Sequence, residues 1–473
     1  MMRSVLVGKM VIVLCAAAVP TLCTNTTLAQ KTAGPDAYLW NNRQLDPRFK
    51  ADILVVVAHP DDETMVSAYL AREIYDNHKK VAVVYGTRGE GSNNNVGPEQ
   101  SIAMRDIREI EGRSAVASLG ITNVWFLSGS DNPNQNVLTS LDRWGDGACL
   151  EELIRIVRLT RPSVILTFLP DFTTGENHSD HQAAGVLATE AFDTAGDPTV
   201  FPAQVSPAEN PDKNMNLTEG LRPWQPEKLY YFYNPTHDIF EGQGPQYSSS
   251  EISPSQHVSY GLLAAEAFSQ HQTQGGAITK EDIRNHTLAS AKDEGADLTR
   301  ERVKLIFGKS LVQSAITDDV FAGVVPDGIP FQRAPGYTPD HFAAPAMHIG
   351  DPWNFYHDFW KAHGLEHLNN VVPLEISVKV GGGFWIPLIV DNPFDRPVQI
   401  DLSVQAPDGW KVEPTAPATV DAHSRYYTRV RIAAPDTVLP GWQQFTVAGR
   451  SGDEAVGTVT IRAELSNGWV APQ

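Results

Sequence analysis

At 473 residues the chain has room for two or three domains and at least one large core. Its 56 acids against 37 Lys and Arg give a formal net charge of −19, and no basic cluster offsets it, which argues against nucleic acid as a partner. With Cys15 and Cys23 near the N-terminus, Cys149 is left alone, so no internal disulfide is expected beyond the leader and a buried thiol is the simplest role for it.

Arg3 and Lys9 precede an apolar run from Met10 to Val19, and Thr27-Leu28-Ala29 offers a small-residue cleavage site. Residues 1–30 therefore read as a secretory signal peptide, too short for a comfortable membrane span. Leu22 is too bulky for a lipidation box at Cys23. No later run approaches ~18 apolar residues, so a secreted protein, periplasmic or extracellular and not integral to a membrane, is expected.

Residues 31–51 form an N-terminal arm, and strand and helix signals then alternate. Ile53–Val57 is uninterruptedly apolar and mostly β-branched, the mark of a strand buried on both faces. Val66, Tyr69, Leu70 and Ile74 follow at helical spacing. Val81–Tyr85 is a second strand and ends in the Gly-rich turn 86–92, which lacks the dinucleotide fingerprint and is read as a loop over a pocket. A helix over about 99–118 is expected to carry Ile107, Ile110, Ser114 and Ala117 on one side, with Gly120 as its stop. Val124–Leu127, Val164–Phe168 and Leu229–Tyr233 are further strands, and a helix through Leu150, Leu153, Ile154 and Val157 lies between the first two. The alternation predicts an α/β domain over 52–314, a Rossmann-like, mostly parallel sheet with helices on both faces. Residues 255–314 read mostly as helix and 315–370 as an irregular connector. From 371 to 473, short alternating runs between Gly, Pro, Asn and Asp predict an immunoglobulin-like β-sandwich.

Two polar turns carry the chemistry. His59-Pro-Asp-Asp-Glu63 lies where a strand ends and a helix begins, the edge at which open α/β sheets bind ligands. Asn177-His178-Ser179-Asp180-His181 follows the fourth strand in the same position. Alone, the first could be an Asp-capped helix start, and the second is a weak pattern. Together they suggest one divalent ion on His59, Asp62 and His181, a set that suits zinc with an open position and also suits iron. Asp61 is then placed to take a proton from water, and His178, with Asp180 as an orienting partner, to face an oxyanion. Spacing does not decide which aspartate ligates and which is the base.

Ala58-His-Pro-Asp-Asp-Glu63 with His178-Ser-Asp-His181 resembles the PIG-L/LmbE-like family of zinc-dependent de-N-acetylases. The resemblance extends over roughly 50–290, through Thr87–Gly91, Arg108–Glu111, Leu119-Gly120, Asp131 and Trp224…Leu229-Tyr-Tyr231. It implies His59, Asp62 and His181 as metal ligands and Asp61 as general base. It also implies His178 as the partner of the oxyanion or leaving amine, and Arg108 and Asp131 as contacts to an acetylated amino sugar or glycoconjugate. The signal peptide, connector and β-domain depart from the simpler members.

Other features compete for attention. His363-Gly-Leu-Glu-His367 matches a protease metal pattern, but Gly364 weakens the helix it needs. His341, His348, His357 and His363 are read as capping or lining an interdomain face, and His271 and Gln274 either as bordering the pocket or as lying on a solvated helix face. Trp385, Trp410 and Trp442 could stack sugars, although core packing is the simpler role. Two alternatives to the deacetylase stay open: an amidase on another N-acyl substrate, and a carbohydrate-binding surface protein with a vestigial metal site.

Overall fold

Every side chain of Ile53–Val57 is buried, and this strand, β1, is the middle of a six-stranded sheet. The computed structural model describes residues 45–132, 134–145, 147–172, 177–206, 219–233, 242–285, 302–369, 371–437 and 439–466. The stretch expected to be a signal peptide (1–30) and most of the expected arm (31–51) lie outside them. The chain continues through α1 (Thr64–Tyr75), β2 (Val81–Tyr85), α2 (Ile102–Ser118), β3 (Asn123–Phe126), α3 (Val137–Arg143), α4 (Ala148–Thr160), β4 (Val164–Phe168) and α5 (Ser179–Thr194). After these come α6 (Pro202–Val205), β5 (Lys228–Phe232), β6 (Gln246–Ser248), α7 (Tyr260–Phe268), α8 (Gly276–Asn285), β7 (Arg302–Lys304) and β8 (Ile306–Ser310). The sheet order is β3-β2-β1-β4-β5-β8, parallel throughout except for β8.

The pleat of β1 divides the core. Ile53, Val55 and Val57 pack with Val66, Tyr69 and Leu70 of α1 and Leu263 of α7, while Leu54 and Val56 pack with Leu153, Ile154 and Val157 of α4 and Ala184 and Ala188 of α5. Helices thus cover both faces. Each such aliphatic side chain contributes about 1.5–3 kcal/mol when fully buried. Because β1 pairs in register with both β2 and β4 (Ile53 opposite Val81 and Val164), the turns after these strands open at one edge.

Three expectations are corrected. In α2 the buried face is Met104, Arg108, Ala115 and Val116, whereas Ile110 is 66% exposed. Within 255–314 the helices end at Asn285 among the described residues, and β8 closes the sheet antiparallel to β5, burying Leu305 and Ile306. The connector is only partly irregular, since it forms β9 (Ala346–Ile349) and α9 (Trp353–His363).

Beyond α9 lie β10 (Glu375–Lys379), β11 (Gly383–Asn392), β12 (Val398–Gln405), β13 (Lys411–Val412), β14 (Ala418–Val420), β15 (Ser424–Ala433), β16 (Gln443–Ser451) and β17 (Glu454–Ser466). They form a five-stranded sheet, β10-β17-β16-β12-β14, and a four-stranded sheet, β13-β15-β11-β9. Phe384 of one sheet and Phe445 of the other meet edge-to-face at 5.3 Å, with Trp410 4.8 Å from Phe445. Trp410 is therefore core, while Arg429 and Arg431 lie over Trp385 and Arg462 over Trp442, so the three tryptophans make no common sugar platform. Among the described residues no helix is long and apolar enough to cross a membrane.

Candidate metal centre

The turns after β1 and β4 meet. His59 Nδ1 lies 3.2 Å from His181 Nε2. Asp62 Oδ1 is 3.1 Å from His181 Nε2, and Asp62 Oδ2 is 3.5 Å from His59 Nδ1. Tetrahedral zinc with bonds of about 2.0–2.1 Å separates its ligand atoms by roughly 3.3 Å, so these three groups fit one shared ion. Two imidazole nitrogens facing each other at this distance beside a carboxylate need a cation or a proton between them. The described residues also bring His59, His178 and His181, and separately His59, Asp131 and Asp180, close enough to offer ligand atoms to an ion.

Local structure fixes each ring. His59 Nε2 faces Asp180 Oδ2 at 3.4 Å and Asp131 Oδ1 at 3.8 Å. A carboxylate behind a ligating imidazole holds the proton on the far nitrogen and aims the near lone pair at the metal. Phe168, the last residue of β4, stacks flat on His181 at 4.2 Å and 3°. Asp180 accepts from Asn132 N at 2.6 Å and from the Ser140 hydroxyl at 2.5 Å. Its carboxylate therefore faces His59, which corrects the expectation from the sequence that it would orient His178. What reaches His178 is the backbone N–H of Asp180, which donates to Nδ1 at 3.4 Å and leaves the proton on Nε2. In this way His178 caps α5.

Charge follows from the same contacts. Burial opposes the His59 cation, but the carboxylates of Asp131 and Asp62 outweigh it and raise its pKa well above the ordinary value. Burial alone would raise Asp62, yet His181 and His59 hold it below the carboxylate range. Burial, then the imidazoles of His181 and His59, push His178 well below 6.5, so its ring is neutral. Burial and the neighbouring Asp62 push the Asp61 carboxyl up to about 7.

Asp61 sits at φ +121°, a backbone conformation that costs an L residue about 1–3 kcal/mol. Its amide donates to Glu63 Oε2 at 3.0 Å, Glu63 Oε1 binds His271 Nε2 at 2.8 Å, and the Gln274 amide donates to the Asp61 carboxylate. Of the two readings left open for them, His271 and Gln274 thus border the site. Arg108 is buried beside Gly89, where a positive φ of 72° and a Cβ only 2.8 Å from Arg108 Cδ demand glycine. Asp131 Oδ2 accepts from the Gly91 amide at 2.7 Å while Oδ1 turns toward His59, so Asp131 faces the metal turn as well as the loop after β2.

The rival motif separates: His363 binds Asp193 at 2.7 Å and His367 the carbonyl of Phe307 at 3.2 Å. His357 pairs with Asp340 on the surface, and Cys149 is buried against Ser128. Sequence reasoning missed Asn132, Ser140 and Phe168. Of these only Phe168 left a signal, as the aromatic at the end of a strand run.

A buried centre of two imidazoles and a carboxylate, with further acid groups at a strand edge, is the build of a metal hydrolase. Residues 54–192 match the family model described as GlcNAc-PI de-N-acetylase, and this segment belongs to that PIG-L family of amide hydrolases. A 1D-myo-inositol 2-acetamido-2-deoxy-alpha-D-glucopyranoside deacetylase 1 of Frankia alni is 30% identical over 189 residues, 37% of this chain and 59% of that protein. The namesake deacetylase of Streptomyces scabiei is 27% identical over 205 residues, 40% of this chain and 58% of that one. The chain thus spans less than two-thirds of the length of these relatives. The solved N,N'-diacetylchitobiose deacetylase of Pyrococcus horikoshii aligns with 57% of this chain and 88% of its own, at 17% identity and TM-score 0.35.

Proposed function

We propose that this protein is a secreted, zinc-dependent hydrolase that removes acetyl from an N-acetylglucosamine-type sugar or glycoconjugate. The carrying observation is the convergence of His59 Nδ1, His181 Nε2 and Asp62 within 3.1–3.5 Å of one another, with Asp61 next in the chain. His59, Asp62 and His181 would hold the ion, which when bound lowers the pKa of water from 15.7 to about 7. Asp61 takes the proton that the attacking water loses. His178, neutral and carrying its proton on Nε2, donates toward the oxygen that gains charge as the amide carbon becomes tetrahedral. The proton held by Asp61 then passes to the departing nitrogen, and acetate and a free amine result. Arg108 is the sugar-side cation, and names of the relatives support an acetamido sugar.

A secretory address is supported by the leader read in residues 1–30. The two C-terminal sheets are proposed to be an immunoglobulin-like sandwich. One observation favours a second reading: Asp131 is turned toward His59 and Gly91, so the sugar contact assigned to it is weakened and an amidase on another N-acyl substrate could use the same groups.

The test is acetate release from N-acetylglucosamine, N,N'-diacetylchitobiose and a panel of non-sugar N-acetyl amides, with and without chelator. Sugar substrates should be cleaved, chelation should abolish turnover, and Asp61→Ala should lose about 10²- to 10⁴-fold in kcat. Asp61→Ala with full activity would remove the base from the scheme, and cleavage of the amides alone would favour the second reading.

A further inference from the structure

The helix α9 belongs to the stretch outside the family match, yet it reaches the turn that carries His178 and His181. Tyr356 is 2% exposed, and its hydroxyl donates to the side-chain oxygen of Gln182. Gln182 is fully buried and follows His181 directly in α5. Its amide nitrogen donates to the carbonyl of Asn177 at 2.6 Å. Asn177, also fully buried, donates to the carbonyls of Leu169 and Asp171 at 3.1 and 2.8 Å. One line of hydrogen bonds therefore runs from α9 through α5 to both ends of the loop between β4 and α5.

Packing supports the same connection at both ends of α9. Trp353 meets Phe172 at 5.0 Å, and Trp360 meets Tyr231 of β5 at 6.2 Å. At the far end His363 binds Asp193 of α5 at 2.7 Å, and Lys309 joins the same carboxylate at 2.7 Å. The other side of the connection is the strand just before α9, since β9 pairs with β11 of the C-terminal sheets. The turn bearing half of the metal centre is thereby tied to the C-terminal region.

We propose that Tyr356 is a positioning residue of the metal centre. Through Gln182 and Asn177 it fixes the start of α5, which carries His178 as its cap and His181 in its first turn, so the connector is a working part of the hydrolase. Removing the hydroxyl leaves the oxygen of Gln182 buried and unpaired, and a polar atom in that state seeks a new partner by moving. Gln182 then releases Asn177, and the His178 turn loses its anchor while the Asp61 turn keeps its own.

The zinc arm of the test rests on the proposed metal reading; a second arm does not. Full-length wild type, Tyr356→Phe, Gln182→Leu and the double variant are compared for zinc affinity by chelator competition. They are also compared, metal-free, for hydrogen exchange at the amides of Ser179 and Gln182 and at those of Asp62 and Thr64. Partners beyond the ligands typically change metal affinity 10- to 100-fold, and Tyr356→Phe should weaken zinc by about tenfold. Exchange at 179 and 182 should quicken while 62 and 64 stay unchanged, and adding Tyr356→Phe to Gln182→Leu should change nothing further. The proposal is overturned if Tyr356→Phe keeps both zinc affinity and local exchange within about twofold of wild type, even with a lower melting temperature. Additive effects in the double variant would overturn it as well. If wild type binds no zinc but Tyr356→Phe still loosens 179–182 selectively, the metal assignment falls and the brace stands.

Discussion

Asp171 sits just past β4, buried under α9, and accepts from the amide of Phe172 at 2.7 Å and from Trp360. Burial pushes its carboxyl up to about 8. An acid whose folded pKa exceeds its unfolded one, near 3.9, is neutral in the fold and ionised in the open chain over that interval. Stability from this site is therefore greatest below about pH 4 and declines as pH rises to about 8. Asp171→Asn, which removes the ionisable proton and keeps an acceptor oxygen for the Phe172 amide, should stabilise the protein by on the order of a few kcal/mol at pH 8 and by nearly nothing at pH 4. Urea midpoints of both proteins across that range measure it, and a pH-independent difference would contradict the assignment. At this scale the sequence was most legible for His59, Asp62 and His181, because a strand end fixes where a backbone turn lies. It was least legible for Asp180, since a residue's place in a motif does not say which way its carboxylate turns. Its partners Asn132 and Ser140 lie 48 and 40 residues away with no pattern linking them.

Among elements, β1, β2, β4 and α4 follow directly from their apolar spacing, because both faces of a parallel strand are covered and nothing competes with burial. α2 shows where that rule yields. Ile110 faces solvent while Arg108 faces in beside Met104, Ala115 and Val116, and its guanidinium donates to the carbonyl of Asn93 at 3.2 Å. Two substitutions separate the readings. Ile110→Gln should change stability by less than about 0.5 kcal/mol, whereas Met104→Ala, fully buried, should cost about 2–5 kcal/mol. Thermal denaturation of the pair decides, and the reverse order would restore the face read from periodicity. β8 and β9 escaped notice for a related reason: a short edge strand needs only one buried side, and alternation over four or five residues is a faint signal.

At the scale of the molecule, one continuous core runs from Leu54 and Val56 of the parallel sheet through Phe192 of α5 and Trp360 of α9 to Phe384 and Ile432 of the C-terminal sheets. Composition gave the two architectures but not their union, because the side chains that join them belong to a stretch that reads as loop. The full chain should absorb heat in a single transition whose calorimetric and van't Hoff enthalpies agree, and two resolved peaks would show that the halves melt separately. Between β8 and β9 the backbone from 311 to 345 is largely exposed and carries no strand or helix. A protease that nicks this strap would open the chain without parting the halves, and the cut particle would travel as one body. The peptide link is a tether, while the aromatic seam at α9 is the weld.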